Sequence, residues 1–166
     1  KHAMQQALYS ESKLVAVRYP RGAQRAIPES IKPTFADFDV FGDENAEKAI
    51  ITYGRTFSAC AFAYEKLVNS GESVKLIKLN RIIPVCEGAV EAAKDCRDVY
   101  FFEEGIRRGG AGEGFLFDLS KAGFSGKYHL RAIENGFVKQ ASVESLLHKY
   151  GFDEEGVLSF VTSAEA

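Results

Sequence analysis

No apolar run in this chain of 166 residues approaches the roughly 18 residues that a membrane-spanning helix needs. Basic residues are not in excess. Lys and Arg number 21 against 23 Asp and Glu, a formal net charge of −2, which leaves no electrostatic footprint for nucleic acid and no polybasic membrane patch. Cysteine is scarce: Cys60, Cys86 and Cys96 are odd in number and share no metal-type spacing, which predicts buried or free thiols in a reducing cytoplasm. The opening Lys1-His2-Ala3-Met4-Gln5-Gln6 leads into no apolar core segment, so no secretory signal is expected. What is present is an ordinary globular balance of 46% apolar and 27% charged residues, which argues against disorder and for one domain with a piece of another.

Ala3, Met4, Ala7 and Leu8 fall on one face at helical spacing, so the chain opens inside a helix and is expected to be part of something longer. Leu14 to Val17 reads as a buried strand. From Gly22 to Pro33, Gly22, Pro28, Ser30 and Pro33 mark a linker. Phe38 to Phe41 and Ala49 to Tyr53 read as strands joined by the turn Gly42-Asp43-Glu44-Asn45, which predicts an antiparallel pair. Thr56 to Ser70 is a predicted helix stopped by Gly71, Val74 to Leu79 a strand, Glu87 to Asp95 a helix and Val99 to Phe102 a strand. The glycine-rich loop 105–114 precedes a helix over Phe115 to Ala122. Lys127 to Ile133 is a strand, and helices over Ser142 to Tyr150 and Asp153 to Val161 start at capping residues. Strands alternating with helices imply parallel pairing through right-handed crossovers. The expected fold is α/β, a three-layer α/β/α domain whose five-stranded mixed sheet has one antiparallel strand.

Two stretches could carry chemistry. In Val15-Ala16-Val17-Arg18-Tyr19-Pro20-Arg21-Gly22, Pro20 fixes its own φ and pushes Tyr19 to an extended conformation, so Arg18 and Arg21 stand at a defined separation. Two such guanidiniums at a strand edge suit phosphate oxygens, but spacing alone favours pairing with surface carboxylates around a linker. The second stretch, Phe102-Glu103-Glu104-Gly105 followed by Gly109-Gly110-Ala111-Gly112-Glu113-Gly114, lies between a strand and a helix, where a phosphate cradle would lie. It fits neither the dinucleotide fingerprint nor the Walker pattern, and Glu103, Glu104 and Glu113 would repel a phosphate. The stronger reading is a tight structural loop in which Gly109, Gly110 and Gly112 let backbones pack closely, as at an interface. Glu103 and Glu104, adjacent on a strand, point to opposite faces and make a poor acid–base pair, while one is placed to cap the next helix. His2, His129 and His148 are scattered, with no metal-type cluster, and no serine sits in a nucleophile elbow. From Phe38 onward the residues form no complete active site, which points to binding, assembly or support.

The order of motifs resembles the 1-deoxy-D-xylulose-5-phosphate synthase family of the transketolase superfamily. It is carried by Arg18-Tyr19-Pro20-Arg21-Gly22, Ile51-Thr52-Tyr53-Gly54, Asn80-Arg81 with Pro84, Phe102-Glu103-Glu104-Gly105 with the glycine loop, and Asn135-Gly136-Phe137-Val138 with Tyr150-Gly151-Phe152-Asp153. The chain departs from the family pattern at Ile83-Pro84-Val85-Cys86, at Ala111 and at Gln140-Ala141. The resemblance implies three regions: 1–22 ending a pyrimidine-binding domain, 23–37 a linker, and 38–166 a transketolase-type C-terminal domain. It implies an enzyme that condenses pyruvate with glyceraldehyde 3-phosphate, releases carbon dioxide and feeds isoprenoid and thiamine biosynthesis. Thiamine diphosphate and Mg2+ would be bound by other parts of the parent chain, none of it by this piece, which would be inactive alone. Arg18 would hold the substrate's phosphate, with Arg21 a weaker candidate. No catalytic or metal-binding residue is implied here. The implied partners are the rest of the parent chain, a second copy in a homodimer and the phosphorylated substrate, with neither nucleic acid nor membrane. Transketolase, the β part of a 2-oxo-acid dehydrogenase, or a stand-alone interaction module of the same fold are the alternatives.

Overall fold

Short runs of β-branched and aromatic residues build the sheet. The computed structural model describes residues 2–9, 14–20, 22–34, 36–134 and 136–163. Its strands are β1 (Phe38–Phe41), β2 (Lys48–Thr52), β3 (Val74–Leu79), β4 (Asp98–Ile106) and β5 (Lys127–Ile133). They lie in the order β1-β3-β2-β4-β5. β2 runs parallel to β3 and β4, and β4 parallel to β5, while β1 is antiparallel to β3.

The alternation of side chains along the strands divides the core in two. Ile50, Leu76, Tyr100 and Phe102 face one layer, packed on α2 (Thr56–Asn69), α5 (Val143–Tyr150) and α6 (Glu154–Ser163). Ala49, Ile51, Ile77, Val99 and Phe101 face the other, packed on α3 (Glu87–Glu91) and α4 (Ala111–Lys121). Tyr100, Phe101 and Phe102 are wholly buried, each burial stabilising by roughly 1.5–3 kcal/mol. The three-layer α/β/α domain and the single antiparallel strand are as the sequence predicts.

The identity of the antiparallel partner differs from expectation. β1 does not form a hairpin with β2; it pairs with β3, so that Phe38 faces Leu79 and Phe41 faces Leu76. Every residue of β2 is buried. Such a strand stabilises most between two parallel neighbours, which leaves β1, only partly buried, at the sheet edge beyond β3. The predicted strand over Leu14 to Val17 is absent: residues 14–20 have no regular structure, and Leu14 and Tyr19 are exposed. A strand needs a partner, and neither edge of the sheet takes this segment. The opening helix is present as α1 (His2–Tyr9), with Met4, Leu8 and Tyr9 exposed. α3 stops at Glu91 and continues as turns, while α4 starts at Ala111, one turn earlier than its apolar residues suggest.

The segment before β1 is docked on the domain. Ile31 is buried in the α2 layer and Ile27 packs against it. Ser58 Oγ donates to Ala26 O at 2.5 Å, and Ser30 Oγ to Glu65 Oε1 at 2.8 Å. The N-terminal ends of the parallel strands are closed by polar pairs: Lys48 with Glu72 at 2.7 Å, Arg97 with Glu47 at 2.9 Å, and His129 with Asp98 at 3.0 Å. No helix among the described residues is long and apolar enough to cross a membrane.

Candidate functional site at the carboxyl edge of the sheet

Open α/β sheets present their ligand-binding loops at the carboxyl ends of the parallel strands. Here those loops begin at Tyr53 after β2, Asn80 after β3 and Arg107 after β4. The core of this edge is Glu103. It is 1% exposed, a burial that a carboxylate tolerates only with partners. Tyr53 donates its phenol to Glu103 Oε2 at 2.9 Å, the Ala111 N–H donates to Oε2 at 3.0 Å, and the Gly112 N–H donates to Oε1 at 3.1 Å. Glu103 thus caps α4 from a neighbouring strand, on the end where the helix dipole favours negative charge. The residue in the N-cap position itself, Gly110, supplies no side chain.

The glycines are explained by how closely these groups approach. A Cβ on Gly110 would stand 2.3 Å from Ile106 O and 2.4 Å from Glu103 Oε1, and one on Gly112 would stand 2.5 Å from Leu130 Cδ1. Gly109 turns the chain with φ at 75°, and its N–H donates to Glu113 Oε2 at 2.8 Å. The backbone donors that could have cradled a phosphate are therefore held by Glu103 of β4 and Glu113 of α4. Tyr128 braces the helix from below by donating its phenol to Gly112 O at 2.7 Å. Burial pushes the Tyr128 hydroxyl far above its ordinary range, so it remains a donor.

Around this core the site residues diverge. Glu104, on the opposite face of β4, is exposed and stands 3.9 Å from Arg55. Burial, and then the Glu103 carboxylate, push the Tyr53 phenol well above its ordinary value, while the charge of Arg18 pulls it down. Arg18 therefore lies within electrostatic reach of Tyr53, on an exposed segment without regular structure rather than a strand edge. Arg21 lies outside the described residues. Asn80 and Arg81 are tied to the segment before β1: Asn80 Nδ2 donates to Ala36 O at 2.8 Å, and Arg81 pairs with Asp37 at 3.0 Å.

His129 stacks on Tyr100 with centroids 4.6 Å apart and binds Asp98, a structural placement at the other end of the strands. One trio among the described residues, His148, Asp153 and Glu155, brings three possible metal-ligating atoms within 4.8 Å of one another. The sequence reading missed it because the trio spans the turn from α5 to α6. His148 and Asp153 already bind each other at 2.7 Å, and Asp153 also caps α6 by accepting from the Gly156 N–H at 2.9 Å. The described residues at the head of α4 do not fit a diphosphate, since Glu103 and Glu113 fill the positions its oxygens would take.

Comparison with known proteins agrees with this architecture. The 1-deoxy-D-xylulose-5-phosphate synthase of Geobacillus thermodenitrificans is 28% identical over 159 residues, covering 90% of this chain and 24% of that protein. The enzyme of the same name from Halalkalibacterium halodurans is 29% identical over 161 residues, covering 94% of this chain and 25% of that protein. The chain thus spans about a quarter of the length of the curated relatives it matches. A solved structure described as a split-gene transketolase, inactive β4 tetramer, superposes with a TM-score of 0.70 at 21% identity, over 83% of this chain and 46% of that one, a likeness of fold. Residues 42–157, from the end of β1 into α6, match the family model for the transketolase C-terminal domain, and the chain belongs to that family.

Proposed function

We propose that this chain is the C-terminal part of a 1-deoxy-D-xylulose-5-phosphate synthase, in which 1–22 closes a pyrimidine-binding domain, 23–37 links and 38–166 forms the transketolase-type C-terminal domain. The observation that carries this proposal is the extent of the similarity to synthases, which runs across about nine-tenths of the chain; the order of motifs from Arg18-Tyr19-Pro20 onward supports it. Thiamine diphosphate and magnesium supply the carbon–carbon bond chemistry of such an enzyme from other domains of the parent. The part of this chain is to bind and support. Arg18 holds the phosphate of the acceptor substrate, its planar fork matching two phosphate oxygens. Arg21 shapes the turn beside it. The Glu103-capped loop at Gly109, Gly110 and Gly112 keeps the carboxyl edge rigid where it meets the rest of the enzyme.

The structural neighbour is described as an inactive β4 tetramer. By analogy, this chain alone assembles with its own copies and is inactive. Assay of the whole parent protein with pyruvate and glyceraldehyde 3-phosphate tests the proposal. Formation of deoxyxylulose phosphate is expected, and its absence overturns the assignment. Calorimetry of this chain with thiamine diphosphate is expected to show no binding that depends on magnesium. A clear magnesium-dependent isotherm would place the cofactor here and refute the division of labour.

A further inference from the structure

The last strand opens a second feature, independent of Arg18. The end of β5, the loop after it and the faces of α5 and α6 wall a cleft of about 450 Å³. Its charged lining is Arg107, Arg131 and Lys149 against one carboxylate, Glu134, and its apolar lining includes Phe137 and Tyr150. Glu134 is taken by Arg107, whose Nε donates to Glu134 Oε1 at 2.7 Å while Nη2 donates to Leu130 O at 2.9 Å. That leaves two cations in the lining without a carboxylate among the described residues.

Arg131 is the more telling of the two. Its guanidinium carbon stands 4.2 Å from the centroid of the Phe160 ring. On another side it lies against Gly151, where a Cβ would come within 2.8 Å of Nη1. Its Nε is buried without a hydrogen-bond partner. Burial, and then the charge of Arg107, depress the Arg131 pKa from its ordinary value. A guanidinium packed between a ring and a glycine, with a like charge beside it and no carboxylate paired to it among the described residues, is stabilised when an anion pairs with its fork. A phosphate dianion balances Arg131 and Lys149 together, and the cleft is of the size that small-molecule sites have.

We propose that this cleft binds a phosphate dianion, free or as a monoester, between Arg131 and Lys149, with Arg107 as the third cation of the site. The test is calorimetric titration of the 166-residue chain with inorganic phosphate and with AMP at low ionic strength. Saturable one-site binding is expected, weakening as salt is added. AMP binding more tightly than phosphate identifies a monoester whose body rests on Phe137 and Tyr150, and phosphate binding as well or better identifies the free ion. Lys149→Gln, at an exposed position where the fold is undisturbed, should weaken binding about tenfold, and Arg131→Leu by at least as much. Absence of saturable binding by both probes overturns the proposal, and so does binding that Lys149→Gln leaves unchanged.

Discussion

Replacing Glu103 by alanine should be among the most damaging single changes in this domain outside the apolar core. The carboxylate accepts from Tyr53, Ala111 and Gly112 in a space with 1% exposure. Its removal strands three donors, each costing about 1–3 kcal/mol if nothing replaces the partner, and empties a volume that packed side chains enclose. Water entering the gap offsets part of that. A net loss of about 3–5 kcal/mol is expected, a large share of the roughly 5–15 kcal/mol that stabilises a whole domain. Urea unfolding followed by far-ultraviolet circular dichroism measures it. With a slope near 2 kcal/mol per molar, the midpoint should fall by about 2 M.

Two companion variants separate charge from shape. Glu103→Gln keeps the volume but turns an amide toward an N–H donor and removes the negative charge from the head of α4, for a loss of about 1.5–3 kcal/mol. Tyr53→Phe removes one donor and leaves the carboxylate on two backbone N–H groups, for about 0.5–1.5 kcal/mol. The order Ala, Gln, Phe in decreasing damage is the expected result. A Glu103→Ala chain within about 1 kcal/mol of the unmodified one would refute the buried-cap account.

Other expectations follow from the same geometry. Gly110→Ala should destabilise by about 2 kcal/mol or more, because its Cβ meets the Ile106 carbonyl, whereas Gly114→Ala, four residues on with nothing within 4 Å, should stabilise by about 0.5–1 kcal/mol; thermal melts of both compare the signs. The hydrogen bond that the His148 ring donates to Asp153, and then the Asp153 charge, raise the His148 pKa above its ordinary 6.5, while Asp153, despite burial that pushes it up, is held below 3.8 by His148 and the Gly156 N–H. The pair is thus at full strength between those two ordinary values, fading as pH rises through the raised His148 value or falls through the lowered Asp153 value. Asp153→Asn, which still caps α6, should bring the His148 midpoint in a proton NMR titration back toward 6.5, and an unmoved midpoint would refute the coupling. Burial pushes the Cys60 thiol up to about 12, and Cys60 and Cys96 are both buried, so a thiol reagent should label the half-buried Cys86 quickly and the other two only on unfolding. In the parent enzyme, Arg18→Ala should raise the acceptor KM by an amount corresponding to about 1.5–3 kcal/mol, and an unchanged KM would remove Arg18 from the site.

How much of this was legible in the sequence depended on how far apart the deciding residues lie. β3 and β5 begin and end where the sequence predicts, because Gly71 and Ser73 before one and Gly126 before the other punctuate the chain locally. The neighbour of β1 was not legible. The turn after Phe41 suits a hairpin, and only the demand of the buried β2 for two parallel neighbours, met by distant β3 and β4, moves β1 outward. The run Leu14 to Val17 shows the converse: a strand pattern states a preference, and without a partner it stays open.

The glycine loop is the instructive case, since its spacing is compatible with a phosphate cradle or a close-packed turn. What separates the two is the carboxylate eight and nine residues before the donors at Ala111 and Gly112. A strand that ends in a buried glutamate and turns through glycines into a helix brings its own anion to the helix head, and the site for an outside one is already filled. Arg131 is the mirror image. Its fixed position comes from Phe160 and Gly151, which no local pattern connects to it, and among the described residues no carboxylate pairs with it. Local spacing therefore indicates where charge can gather at the edge of this sheet. Whether that charge is already neutralised from within is decided by contacts between elements, and it is this that distinguishes the closed head of α4 from the open cleft beside β5.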